Sequence, residues 1–179
     1  GDVTVRAFPT LHDSRASVGY RFEFGGISVG YMTDTGCVTD RMEQMLSGCV
    51  AVVLESNHDE QLLLSGPYPY ELKLRIRSNR GHLSNRAAAA LAARLAEGGT
   101  RHFLLAHLSE TNNYPAIAYD ETASALAGSG ATVAVAEPRD ITMLVGAVGE
   151  PVARAGARMP AAAGGAERSA ASAMGGALL

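Results

Sequence analysis

The chain has no tryptophan, two cysteines and four phenylalanines in 179 residues, and its formal charge is only -3. Two cysteines allow at most one internal crosslink, which excludes a disulfide-stapled miniprotein and makes Cys37 and Cys49 read as free thiols of a reducing compartment. Without net positive charge there is no global field for tight, purely electrostatic nucleic-acid binding, although a cleft could still accept a phosphodiester backbone. No run approaches the roughly 18 uninterrupted apolar residues of a membrane span. The opening GDVTVRAFPT carries acid and alternates in polarity, unlike a basic leader before an apolar run. The expected setting is therefore cytoplasmic, with no membrane association. The chain opens on Gly1 already in strand-like alternation, which suggests entry in mid-domain.

What is present is an ordinary domain's worth of apolar residues, 47% of the chain. Residues 2–8 alternate as a strand ending at Pro9, which cannot donate to a central ladder. Val18, Tyr20, Phe22 and Phe24 recur with period two against Gly19, Arg21 and Glu23; Gly25-Gly26 then suits a tight hairpin turn, with Ile27, Val29 and Tyr31 on the returning strand. Asp40 and Glu43 have capping-box spacing for a short helix ending near Gly48. Val50–Leu54 is a buried strand candidate. Pro67 and Pro69 bracket a turn before a charged segment, Glu71–Arg77. Ser84 caps a predicted helix running through Glu97, with Ala88, Leu91 and Leu95 as its packing stripe and Gly98-Gly99 as its stop. His102–Ala106 reads as an internal strand, 116–126 as a helix opened by Pro115, and 131–136 with 141–146 as a β-rich edge. Strands alternating with helices imply a layered α/β domain over 1–145. The remainder, 146–179, is dominated by Ala and Gly and reads as a disordered tail.

Three possible ligands follow strands: His12, Asp34 and His107. Carboxyl ends of strands share a sheet edge, where two imidazoles and a carboxylate could bind zinc or another borderline divalent ion. Surface or structurally hydrogen-bonded histidines are the competing reading, because the spacings are not diagnostic. Thr33-Asp34-Thr35-Gly36 combines a carboxylate, flanking hydroxyls and a sharp exit, as a fixed ligand or as a simple turn. His82 precedes a helix start, where an imidazole could donate a proton. Glu55-Ser56-Asn57-His58-Asp59 concentrates polar groups after a strand, as a pocket wall or as a solvated loop. Arg75, Arg77 and Arg80, in the one basic stretch, could contact phosphates or form a plain solvated face. Tyr68 and Tyr70 could stack on bases or pack locally.

Taken in order, LHDSRASVGYRFEFGG, SVGYMTDTGCVTD, VVLESNHD, GPYPYELKLRI, GHLSN and FLLAHLSETNN resemble the carboxyl-terminal half of the YycJ/WalJ group of the metallo-beta-lactamase superfamily. The resemblance covers about residues 1–145. It implies a partial four-layer αββα sandwich with two divalent metal ions, Zn or Mn, in a cleft at the strand ends. By resemblance, His12 and His107 are histidine ligands of different metals and Asp34 bridges both. His82 resembles a histidine that assists phosphodiester cleavage in tRNA-processing members, and Asn57 and His58 belong to the group's pocket signature. The family's HxHxDH motif is absent, leaving about three of roughly seven ligands, so an amino-terminal half is expected to supply the rest.

The implied reaction is attack of a metal-bound hydroxide on phosphorus, with DNA as the expected substrate of an exonuclease in the complete protein. This chain alone is expected to be an incomplete, inactive fragment. The alternatives are hydrolysis of a small phosphodiester on the same fold, or a noncatalytic binding module.

Overall fold

A computed structural model describes residues 2–136 and residue 142. The tail over 146–179 and, apart from Thr142, the expected strand over 141–146 lie outside the described residues.

Among the described residues, six strands form one sheet in the order β1 (Thr4–Pro9), β2 (Val18–Phe24), β3 (Ile27–Met32), β4 (Ala51–Glu55), β5 (His102–Ala106) and β6 (Thr132–Val135). β1, β2 and β3 pair antiparallel, whereas β3 through β6 are parallel. The expected hairpin is present, with Phe24 opposite Ile27 and positive φ at Gly25 (55°) and Gly26 (81°), the backbone that a two-residue turn requires. Since β2 reverses twice between β1 and β3, the carboxyl ends of β1, β3, β4 and β5 all point to one sheet edge.

Five helices were found among these residues: α1 (Asp40–Leu46), α2 (Glu60–Ser65), α3 (Tyr70–Arg77), α4 (Asn85–Glu97) and α5 (Pro115–Ala125). The α1 cap lies one residue earlier than the Asp40 capping box predicted. Thr39 is extended, and its Oγ1 accepts from the Met42 amide at 3.3 Å, leaving Asp40 inside the first turn. Ser84 caps α4 as expected, accepting from the Ala87 amide. Two helices were not expected. α2 is capped by Asp59, and α3 occupies the charged segment and buries none of its residues.

One face of the sheet is covered. Phe8, Met32, Val52, Leu54 and Phe103 are at most 1% exposed and pack with Met42 and Leu46 of α1 and Leu91 and Leu95 of α4. Gly19 takes its place on this face because Phe8 lies against it, and a Cβ there would collide with the Phe8 ring. Arg21 also faces this way and donates to the Met45 and Ser47 carbonyls at 2.9 and 2.7 Å, satisfying orphan acceptors where α1 ends. The result is a mixed α/β fold consistent with a metallo-beta-lactamase-like sandwich, of which the described residues contain one sheet and its helices.

Candidate metal centre

The site begins at that shared edge. His12 follows β1, Asp34 follows β3, Glu55 ends β4 and His107 follows β5. Asp34 (φ 58°) and His107 (φ 59°) are the non-glycine residues in the left-handed region among those described. Such backbone costs on the order of 1 kcal/mol and persists where the surroundings fix it, commonly at functional sites. Thr33 Oγ1 donates to Asp34 Oδ2 at 3.0 Å, and Ser17 Oγ donates to the Asp34 carbonyl at 3.2 Å.

Two close backbone approaches shape these loops. A Cβ on Gly36 would land on the Ser78 carbonyl oxygen, and one on Gly81 would land on the Ile76 and Arg75 carbonyls. Glycine at 36 lets the Asp34 turn lie against the turn that carries His82, and glycine at 81 lets that turn fold back on the end of α3. The Gly36 amide also donates to the Leu11 carbonyl at 2.8 Å, tying in the His12 loop.

Glu55 organises the imidazoles. Its side chain is fully buried, yet all its contacts are donors. His82 Nδ1 (2.8 Å) and His107 Nδ1 (2.7 Å) donate to Oε1, while the amides of Thr35 (3.0 Å) and Leu83 (3.2 Å) donate to Oε2. Burial alone would raise its pKa. The hydrogen bonds from His107, His82 and Thr35 outweigh burial and hold it at about 2. His107 is in turn raised above its ordinary value, chiefly by the hydrogen bond to Glu55.

The third imidazole is fixed differently. His12 Nδ1 lies 2.8 Å from the Gly81 carbonyl, which can only accept, so Nδ1 carries a proton and Nε2 is the ring nitrogen turned toward the carboxylates. That Nε2 lies 3.9 Å from Asp34 Oδ1 and 3.4 Å from Asp13 Oδ1. The His82 ring sits between the other two, with centroids 4.8 Å from His12 and 5.1 Å from His107.

Asp34, Glu55, His82 and His107 each offer a ligand atom, all within 4.8 Å of one another. This mixed imidazole and carboxylate set suits a borderline divalent ion. Glu55 fits better as a brace than as a ligand, because its two oxygens already accept four hydrogen bonds. Carboxylates that accept a hydrogen bond from a histidine Nδ1–H commonly orient the opposite nitrogen toward a metal.

The chain belongs to the metallo-beta-lactamase superfamily. A family profile described as "Beta-lactamase superfamily domain" matches residues 1–108. The chain is 41% identical over 118 residues to "Exodeoxyribonuclease YycJ" of Bacillus anthracis, covering 66% of this chain and 45% of that protein. It is 37% identical over 135 residues to "Exodeoxyribonuclease WalJ" of Streptococcus pneumoniae serotype 2, covering 75% of this chain and 50% of that one. The chain thus spans about half the length of the curated relatives it matches. The metallo-beta-lactamase fold protein YhfI from Bacillus subtilis superposes with a TM-score of 0.55 at 20% identity, over 76% of this chain and 48% of that chain, a likeness of fold alone.

The other residues singled out from sequence fall in different places. Asn57 lines a cavity of about 510 Å³ beside the histidines, and its Nδ2 donates to the His107 carbonyl at 2.9 Å. His58 is 2% exposed, its Nδ1 has no hydrogen-bond partner, and burial lowers its pKa. Arg75 lines the cavity and pairs with Asp13, whereas Arg77 and Arg80 are exposed and do not line it. Cys37 and Cys49 are free thiols. Sequence reasoning passed over Glu55 as one member of a polar run; a carboxylate directly ending an apolar strand was the available signal. Among the described residues no helix is long and apolar enough to cross a membrane.

Proposed function

We propose that this chain carries part of a dinuclear, metal-dependent phosphodiesterase that acts on DNA as an exonuclease in the complete protein, in the cytoplasm. The observation that carries this reading is the meeting of Asp34, His82 and His107 around the buried Glu55 at one sheet edge, with His12 Nε2 3.9 Å from Asp34 Oδ1. The names of the two bacterial relatives support DNA as the substrate.

In this reading His12 and His107 would each contribute to holding a divalent ion and Asp34 would serve both ions, with the remaining ligands supplied from outside these residues. Divalent ions, zinc or manganese, supply Lewis acidity and make water acidic enough to act near neutral pH. Glu55 keeps the His82 and His107 rings in one orientation. With its Nδ1 proton engaged by Glu55, His82 in its imidazolium form would give the proton on Nε2 to the leaving oxygen and remain as the neutral ring. Asn57 steadies the His107 backbone, and His58 packs behind the pocket. Arg75 exchanges Asp13 for a substrate phosphate, since a guanidinium serves either anion.

The test uses the full-length gene product. Asp34→Asn is expected to lose metal, measured by elemental analysis, together with DNA hydrolysis. His82→Ala is expected to keep most of its metal while turnover falls by about 10²- to 10⁴-fold. A folded, metal-replete Asp34→Asn protein with wild-type turnover would remove the bridging role.

A further inference from the structure

The helix α3 is out of keeping with its surroundings. It carries Leu72, Leu74 and Ile76, yet buries no residue at all. Leu72, Arg75 and Ile76 are spaced to share one helical face, and all three line the cavity that also contains His12, His82 and His107. Tyr68, just before the helix, joins this wall. The helix is held by polar bonds outside the core, from Lys73 Nζ to the Leu64 and Gly66 carbonyls at 2.7 Å each and from Arg75 to Asp13. Its apolar side is therefore presented to the cavity instead of to the protein interior.

Another part of the lining, Leu108–Thr111, has a different chemistry. It offers a leucine, hydroxyls at Ser109 and Thr111, and the Glu110 carboxylate, which opposes a second anion in that part of the cavity. The cavity volume of about 510 Å³ lies within the usual range for a small-ligand site. A ligand matched to both parts of the lining has a flat apolar face, hydrogen-bonding edges, no charge of its own, and an attached phosphate that reaches Arg75 and the histidines.

We propose that this cavity is a nucleobase subsite, in which the base of the nucleotide undergoing cleavage lies against Tyr68, Leu72 and Ile76 with its polar edge toward Ser109–Thr111. The identification of the ligand as a nucleotide rests on the phosphodiesterase reading above. The enzyme then holds a strand by one base as well as by its phosphate, which tolerates any sequence because every base has a flat face.

Two measurements on the full-length protein test this. In the metal-free protein, calorimetry is expected to show deoxyadenosine monophosphate binding about tenfold more tightly than deoxyribose 5-phosphate. In the metal-loaded enzyme, kcat/KM for a single-stranded oligonucleotide is expected to exceed that for the same strand built from stable abasic residues by at least about tenfold. Tyr68→Ala and Leu72→Ala should each reduce both preferences severalfold. Leu74→Ala, on the same helix but away from the cavity lining, should keep them, which separates a lost contact from a loosened helix. Equal binding of the two monophosphates by the wild type, or preferences that survive in both variants, would overturn the subsite. Equal cleavage of intact and abasic strands would overturn it while leaving the hydrolase reading standing. Base-dependent binding without any phosphodiester hydrolysis would support the subsite and remove the hydrolase reading.

Discussion

The two faces of the sheet have opposite fates. On one, Phe8, Val52, Leu54 and Phe103 are sealed under α1 and α4. On the other, Val5 is 53% exposed, Phe24 41% and Tyr31 39%, and Tyr20, Phe22, Val29, Val53 and Leu104 are only partly buried. The pairing Val5–Phe22–Val29–Ala51 runs as a continuous apolar row across four strands. β2 shows the inversion most clearly, because it sends Arg21 toward the helices and its aromatic residues to the side that no other described element covers. An apolar sheet face of this extent calls for a cover, and in a sandwich the cover is a second sheet about 10 Å away. Glu55 shares the parity of Ala51 and Val53 but is fully buried, so the uncovered face ends in a polar brace.

The largest expected effect tests that asymmetry directly. Phe103→Ala should cost the full-length protein about 3–5 kcal/mol in urea unfolding, the usual result for a sealed aromatic. Phe22→Ala, on the other face, should cost about 3 kcal/mol if a second sheet covers it in the complete protein. A loss below about 0.5 kcal/mol would show that the face stays bare.

Next in size is the brace. Glu55 has its pKa lowered from 4.5 to about 2 in the fold. A carboxylate depressed in this way contributes stability that is complete above its unfolded pKa and is lost as pH falls through the folded value. The metal-free wild type should therefore lose on the order of 3 kcal/mol between about pH 5 and pH 2 that Glu55→Gln does not lose. Parallel pH profiles of the two proteins would deny the brace its charge. The smallest effect concerns the covered side: Arg94 pairs with Glu43 at 3.0 Å between α4 and α1, and both are partly exposed. Arg94→Ala should shift unfolding by under about 0.5 kcal/mol; a larger loss would mean that charge, not packing, joins these helices.

The sequence revealed most where chemistry is local. Gly25-Gly26, the Ser84 cap and the placement of His12, Asp34 and His107 after strands each depend on a few neighbouring residues. Thr39 was missed as a cap because Asp40 beside it offers the same kind of oxygen, and only the backbone decides between them. α3 was hidden because its apolar residues do not make a buried stripe. Glu55 looked like any loop acid, since its four donors come from residues between 20 and 52 positions away. The side of the sheet to which β2 turns its aromatics was likewise invisible, because alternation separates two rows without saying which is inside.

The meeting of Gly36 and Gly81 with neighbouring carbonyls has a consequence for how this centre can change. The seam is made of atoms that every residue possesses, so surrounding side chains are free to drift and retune the chemistry without moving the loops. A single methyl group at Gly36 would act as a wedge in that seam, parting the acid from the imidazole before any reaction began.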